Sequence, residues 1–94
     1  MNQDARMAGL EGYVDRVIVI DTKSTYIFIG TFRGAEGDYF VLEDADVHDC
    51  AEGKATKELY VFEAKRYGVH PNRTRVLVSA REALSVSGLD EVTG

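Results

Sequence analysis

The sequence predicts a mainly β fold: a small five-stranded, strongly bent antiparallel barrel with a short N-terminal helix and an inserted helix near residues 57–67. Three observations predict it. Five short runs rich in β-branched and aromatic residues are separated by Gly, Asp and Ser turn signals. One of these runs, TYIFIGTFR (25–33), is long and carries Gly30 in its interior. A strand glycine packs nothing and loses backbone entropy, so it marks a bend or a close approach of two backbones. Between the third and fourth runs, one segment carries the start and stop signals of a helix instead.

The elements follow in order. In ARMAGLEGYV (5–14), Met7, Leu10 and Val14 lie three and four apart, but Gly9 and Gly12 each cost about 1 kcal/mol relative to Ala. One or two helical turns resting on another element are expected. RVIVID (16–21) is the first strand and stops at DTKS (21–24), which has turn composition. The second strand, 25–33, bends at Gly30 and ends at Gly34. The turn GAEG (34–37) leads to the third, DYFVLEDA (38–45). The unbroken apolar runs VIVI and YIFI imply cover on both faces of the sheet.

A polar connection, 46–56, precedes KELYVFEAKRY (57–67). Propensity at Tyr60, Val61 and Phe62 favours a strand. Periodicity and stop signals favour a helix, with Thr56 as N-cap, Lys65 and Arg66 in the last turn, Gly68 as cap and Pro71 beyond. A helix is expected. RTRVLVS (73–79) and ALSVSG (83–88) are the fourth and fifth strands. The chain reads as one domain, 1–94, frayed at 1–4 and 90–94.

Charge and composition narrow the function. The net charge of −5 argues against a general nucleic-acid binder. Its distribution is uneven, because residues 54–81 hold Lys54, Lys57, Lys65, Arg66, Arg73, Arg75 and Arg81 against Glu58 and Glu63 alone. Such a run is either a solvated face or a patch for an anionic partner. No apolar run is long enough to span a bilayer. Cys50 stands alone, which rules out an intrachain disulfide and fits a reducing, cytoplasmic setting. His48 and Cys50, with Asp46 and Asp49, are too few and too closely spaced for a zinc site, so neither a metal nor a cofactor is expected. Glu36, Asp38, Glu43 and Asp44 cluster in sequence, but strand alternation separates neighbours, and no nucleophile motif is present. The chain is not expected to be an enzyme.

The residues VIVI (17–20), GTFRG (30–34) and VLEDA (41–45) resemble the first signature block of Sm and Sm-like (LSm) proteins, and VLVSAREALSV (76–86) is similar to the second. The resemblance implies a ring in which the fourth strand of one subunit pairs with the fifth of the next, placing Val76, Leu77, Val78, Leu84 and Val86 at the junction. It also implies a uridine pocket. Here Glu36 takes the place of the family's aspartate, Tyr39 falls near its asparagine, and Ser79 and Ala80 replace its arginine-glycine pair. The pocket is therefore expected to be degenerate, with Tyr39 offering an aromatic face instead. The insertion, 46–72, is expected to project its helix away from the barrel.

The expected function is a ring-forming homo-oligomer that binds RNA. Glu36, Tyr39 and Ser79 would lie at the bases, and Lys65, Arg66, Arg73, Arg75 and Arg81 on phosphates. The alternative is a scaffold that keeps the ring without RNA and offers Tyr60 and Tyr67 of the inserted helix to a protein partner.

Overall fold

The computed structural model describes residues 7–51 and 56–93. It contains β1 (Val17–Thr22), β2 (Tyr26–Glu36), β3 (Tyr39–Asp49), helix α1 (Lys57–Tyr67), β4 (Arg73–Ser79) and β5 (Ala83–Gly88), with single 3-10 turns at Glu11–Tyr13 and Leu89–Glu91. The five strands form one antiparallel sheet in the order β4-β3-β2-β1-β5.

That order dictates curvature. β4 and β5 are the two edges, yet only residues 80–82 join them. In a flat sheet the edges would stand about 19 Å apart, four spacings of about 4.8 Å. The connection from Ser79 to Ala83 spans at most about 14 Å when fully extended. The sheet therefore curls until its edges approach.

Three register shifts bend the sheet, one between β1 and β5 at Asp21 and Thr22 and two between β2 and β3. Between Ile29 and Thr31 the pairing on β3 jumps from Asp46 to Glu43, so Asp44 and Ala45 together face Gly30. Asp44 turns with a φ of +48°. A Cβ on Gly30 would sit 3.0 Å from the Cα and Cβ of Ala45 and 3.1 Å from the Glu43 carbonyl oxygen. The strand glycine thus serves a close backbone approach at a bulge. Between Phe32 and Ala35 the extra residue lies on β2, where Gly34 takes a φ of +107°. Gly34 does not end the strand as the sequence suggested: β2 passes through this second bulge and runs on to Glu36.

Alternation along β1 and β2 sends side chains to both faces and explains the unbroken apolar runs. Ile18, Ile20 and Phe32 enter the interior with Phe40, Leu42, Ala45 and Val78, and Met7, Leu10 and Tyr13 close that core from the N-terminal side. Residues 5 and 6 of the expected N-terminal helix lie outside the described residues, as does the 1–4 end. Val19, Ile27 and Ile29 point outward, where α1 covers them with Val61 and Ala64. Each fully buried aliphatic side chain contributes about 1.5–3 kcal/mol.

The helix occupies the expected residues, but it does not project from the barrel. It lies on the outer face of the sheet, because Val61 and Ala64 would otherwise leave Val19, Ile27 and Ile29 wet. Its start is fixed by Thr56, whose Oγ1 accepts a hydrogen bond from the Leu59 N–H at 3.1 Å. The Gly68 N–H closes the other end on the Ala64 carbonyl. Thr56→Ala is expected to lower stability by about 1 kcal/mol in denaturant unfolding, while Thr56→Ser leaves it nearly unchanged.

The insertion is shorter than 46–72, because β3 continues through residues 46–49, paired with β2 down to Tyr26. The polar residues there are satisfied from afar. Asp46, only 3% exposed, accepts from the Tyr60 hydroxyl at 2.5 Å, and Asp49 accepts from the Thr25 hydroxyl and the Ala51 N–H.

The C-terminal residues 90–93 depart from the frayed end read in the sequence. Asp90 holds the Arg16 guanidinium at 2.7 Å, and Glu91 accepts from the Tyr13 hydroxyl at 2.7 Å and the Gly88 N–H at 2.8 Å. This clasp carries a pH signature. The Tyr13 hydrogen bond, followed by that of Gly88, holds the Glu91 carboxyl below its ordinary value of 4.5. A carboxylate with a depressed folded pKa stabilises above its unfolded pKa, and that contribution disappears as pH falls through the folded value. The protection factor of the Gly88 amide, after correction for intrinsic exchange, is expected to fall selectively below about pH 4.5, and Glu91→Gln to remove that fall.

Candidate nucleic-acid interface

The β3–β4 register sets the β2–β3 turn beside the β4–β5 corner. Tyr39 pairs with Ser79 at the end of the ladder. The Ala80 N–H donates to the Asp38 carbonyl at 2.9 Å, and the Lys23 N–H ties the β1–β2 turn to the Glu82 carbonyl. Five of the expected RNA-contacting residues, Glu36, Tyr39, Arg75, Ser79 and Arg81, thereby converge. Tyr39 is 46% exposed.

The arginines of this corner already hold carboxylates. Arg75 donates to Glu36 at 2.5 Å, and the Arg81 guanidinium lies 3.7 Å from Asp38. Arg33 completes the ladder, paired with Asp15 and 3.5 Å from Glu43. Asp38 enters the sequence reading only as one of the clustered carboxylates, and Arg33 has no role in it. Their pairing is set by register and by the β2 bulge, neither of which can be read before the strands are aligned.

The other described residues of the basic run, Lys57, Lys65, Arg66 and Arg73, do not join the corner, and Lys54 lies outside the described residues; Lys57 holds Asp21 at 2.7 Å. Arg73 stands at the far end of β4 and donates to the Asn72 carbonyl. Lys65 reaches the carbonyls of Asp90 and Val92, and the Arg66 guanidinium lies over the Tyr67 ring at 5.4 Å. The basic run 54–81 is thus not one patch.

The edges themselves are the second element of the site. Among the described residues, β4 pairs only with β3 and β5 only with β1, which leaves the outer backbone groups of each without a partner strand. Of the residues expected at a junction, Leu77 and Leu84 project into solvent at 43% and 63% exposure. Val78 is buried, and Val76 and Val86 pack on the interior core. Beside β4, a cleft of about 260 Å³ opens between Leu77, Ser79 and Glu82 on one side and Tyr26 and Phe28 on the other.

The 46–50 segment divides its polar side chains. Asp46 turns to Tyr60, whose ring stacks on His48 at 3.9 Å, while Asp49 turns to Thr25. Burial raises the Cys50 thiol pKa, which makes it an unreactive side chain at neutral pH. Of the carboxylates that cluster in sequence, Glu36, Asp38 and Glu43 each face a different arginine. Tyr60, expected to face a partner, is committed to Asp46 and His48; Tyr67 is 69% exposed. Among the described residues, no helix is long and apolar enough to cross a membrane.

No protein-family model matches the sequence, and no curated protein matches it. Solved structures do. An Sm protein of Pyrococcus abyssii, determined in complex with a uridine heptamer, aligns with a TM-score of 0.58 at 14% identity over 87% of this chain and 94% of that one. The SmAP (LSm) protein of Methanococcus vannielii aligns with a TM-score of 0.56 at 14% identity, over 93% and 98%. The SmAP1 heptamer of P. aerophilum gives 0.54 at 16% identity, over 93% and 92%. The fold is Sm-like, as the sequence blocks suggested.

Proposed function

We propose that this Sm-like chain is a non-enzymatic, cytoplasmic subunit of a cyclic homo-oligomer in RNA metabolism. The β4 edge of one copy pairs with the β5 edge of the next. The corner formed by Tyr39, Ser79 and Arg81 meets RNA, with the uridine pocket degenerate. The observation that carries this reading is the pair of unpartnered edges at opposite ends of one curled sheet. Head-to-tail pairing of such edges satisfies their N–H and C=O groups and closes when the rotation allows. The solved neighbours supply the precedent: one is described as a heptamer and another as bound to a uridine heptamer.

Binding at this corner differs from contact with a free basic patch. A phosphate reaching Arg75 or Arg81 must displace Glu36 or Asp38. Base stacking on Tyr39 then supplies most of the affinity, about 1–3 kcal/mol per base. Fluorescence anisotropy with short single-stranded RNAs at two salt concentrations is expected to show binding with a shallow salt slope of about one or two phosphates. Tyr39→Ala is expected to weaken binding about tenfold or more. The same pairing of arginines with carboxylates favours the second reading, a ring that serves as a protein scaffold. Absence of RNA binding at low salt by an intact oligomer would select it.

A further inference from the structure

A small cavity away from the corner has a lining suited to a cation. On α1, Tyr60, Glu63 and Tyr67 share one face and stand over Asp46 of β3, and Gly68 and His70 close the end. The space is half open to solvent and holds about 110 Å³. Asp46 is 3% exposed and accepts one hydrogen bond, from Tyr60. No sealed side-chain polar atom among the described residues lacks a partner, so the second Asp46 oxygen is open to the cavity it lines.

The lining carries the Asp46 and Glu63 carboxylates and the Tyr60, Tyr67 and His70 rings, with no lysine or arginine in it; Arg66, outside the lining, lies over the Tyr67 ring. A buried carboxylate that faces no cation is costly, and it favours any positive group that reaches it. The Tyr60 ring is held by parallel stacking on His48, at 3.9 Å and 8°, so its position does not depend on a ligand. Tyrosine ring faces attract cations through their quadrupole. A divalent metal fits poorly, since no three His, Cys, Asp or Glu side chains among the described residues gather in ligand geometry.

We propose that this cavity binds an alkylammonium group, presented as a free small amine or as the lysine side chain of a partner. The site is independent of RNA binding and of ring closure. The test is a two-dimensional amide NMR titration of the full chain with methylammonium chloride, with sodium chloride and tert-butanol as charge and size controls. A lysine-containing peptide is titrated in parallel. Saturable shifts at Glu63, Tyr67, Gly68 and His70 are expected with methylammonium, the peptide or both, and not with the controls. Glu63→Gln changes an exposed side chain and is expected to keep the fold, while weakening binding about tenfold. Asp46→Asn is expected to weaken it at least as much, with thermal unfolding as the check on its fold. Tighter binding of the peptide than of methylammonium assigns the source to a protein side chain; the reverse assigns it to a free amine. Shifts that fail to saturate with either ligand, that sodium chloride reproduces, or that persist unchanged in Glu63→Gln overturn the proposal.

Discussion

Gly30→Val is expected to lower the stability of the fold by about 3 kcal/mol, and Gly30→Ala by about 1–2 kcal/mol. The neighbours of a new Cβ are the Cα and Cβ of Ala45 at 3.0 Å and the Glu43 carbonyl oxygen at 3.1 Å. Two of these three atoms are backbone, so no rotamer change relieves the contact. β2 and β3 must separate at the bulge on which the curl depends. Opposing this is the gain of about 0.5–1 kcal/mol for replacing a strand glycine, too small to reverse the sign. For a domain of this size, each kcal/mol moves Tm by about 4–8 °C, so the valine variant is expected to melt roughly 12–24 °C lower. Ala45→Gly removes one of the three contacts and is expected to restore part of the loss in a double-mutant cycle. Gly34 gives the contrast. Nothing lies within 4 Å of its missing Cβ, but its φ is +107°. Gly34→Ala therefore costs about 1–2 kcal/mol through backbone strain alone, and Ala45→Gly does not relieve it. No rescue of Gly30→Ala by Ala45→Gly, or an equal rescue of Gly34→Ala, would refute the close-approach account.

That contrast also shows what a single sequence carries. Strands with their own turn signals, and a helix flanked by Thr56 and Gly68, were legible because their causes are local. Gly30 was legible as an anomaly, and its cause, Ala45, lies fifteen residues on, across a strand pair. The extension of β3 over 46–49 was illegible, because Asp46 and Asp49 look like loop residues until Tyr60 and Thr25 are placed beside them. The docking of α1 was hidden for a different reason. Its buried contacts are the small Val61 and Ala64, while the larger Leu59 remains 45% exposed. At the corner, the family resemblance located Glu36, Tyr39 and Ser79. It did not show that Glu36 and Asp38 neutralise Arg75 and Arg81, since cross-strand charge pairs follow from register.

A chain with two unsatisfied edges is expected to elute as a closed oligomer at micromolar concentration, and Leu77→Lys combined with Leu84→Lys is expected to reduce it to monomer. Of the residues expected at the junction, Leu77 on β4 and Leu84 on β5 project into solvent, at 43% and 63% exposure, and neither belongs to the interior core. Natural edge strands use lysine to block further pairing, because burying an unpaired ammonium at a new strand junction costs several kcal/mol. In a ring each junction receives both changes, one from each partner, so the effect is expected to exceed about a hundredfold in association per junction. The Ile18, Phe32 and Leu42 core is untouched, and far-UV circular dichroism of the double variant is expected to match the parent. Light scattering coupled to size exclusion separates the outcomes. A monomeric parent removes the ring. A double variant that keeps the parent's mass shows that the copies meet through some surface other than β4 and β5.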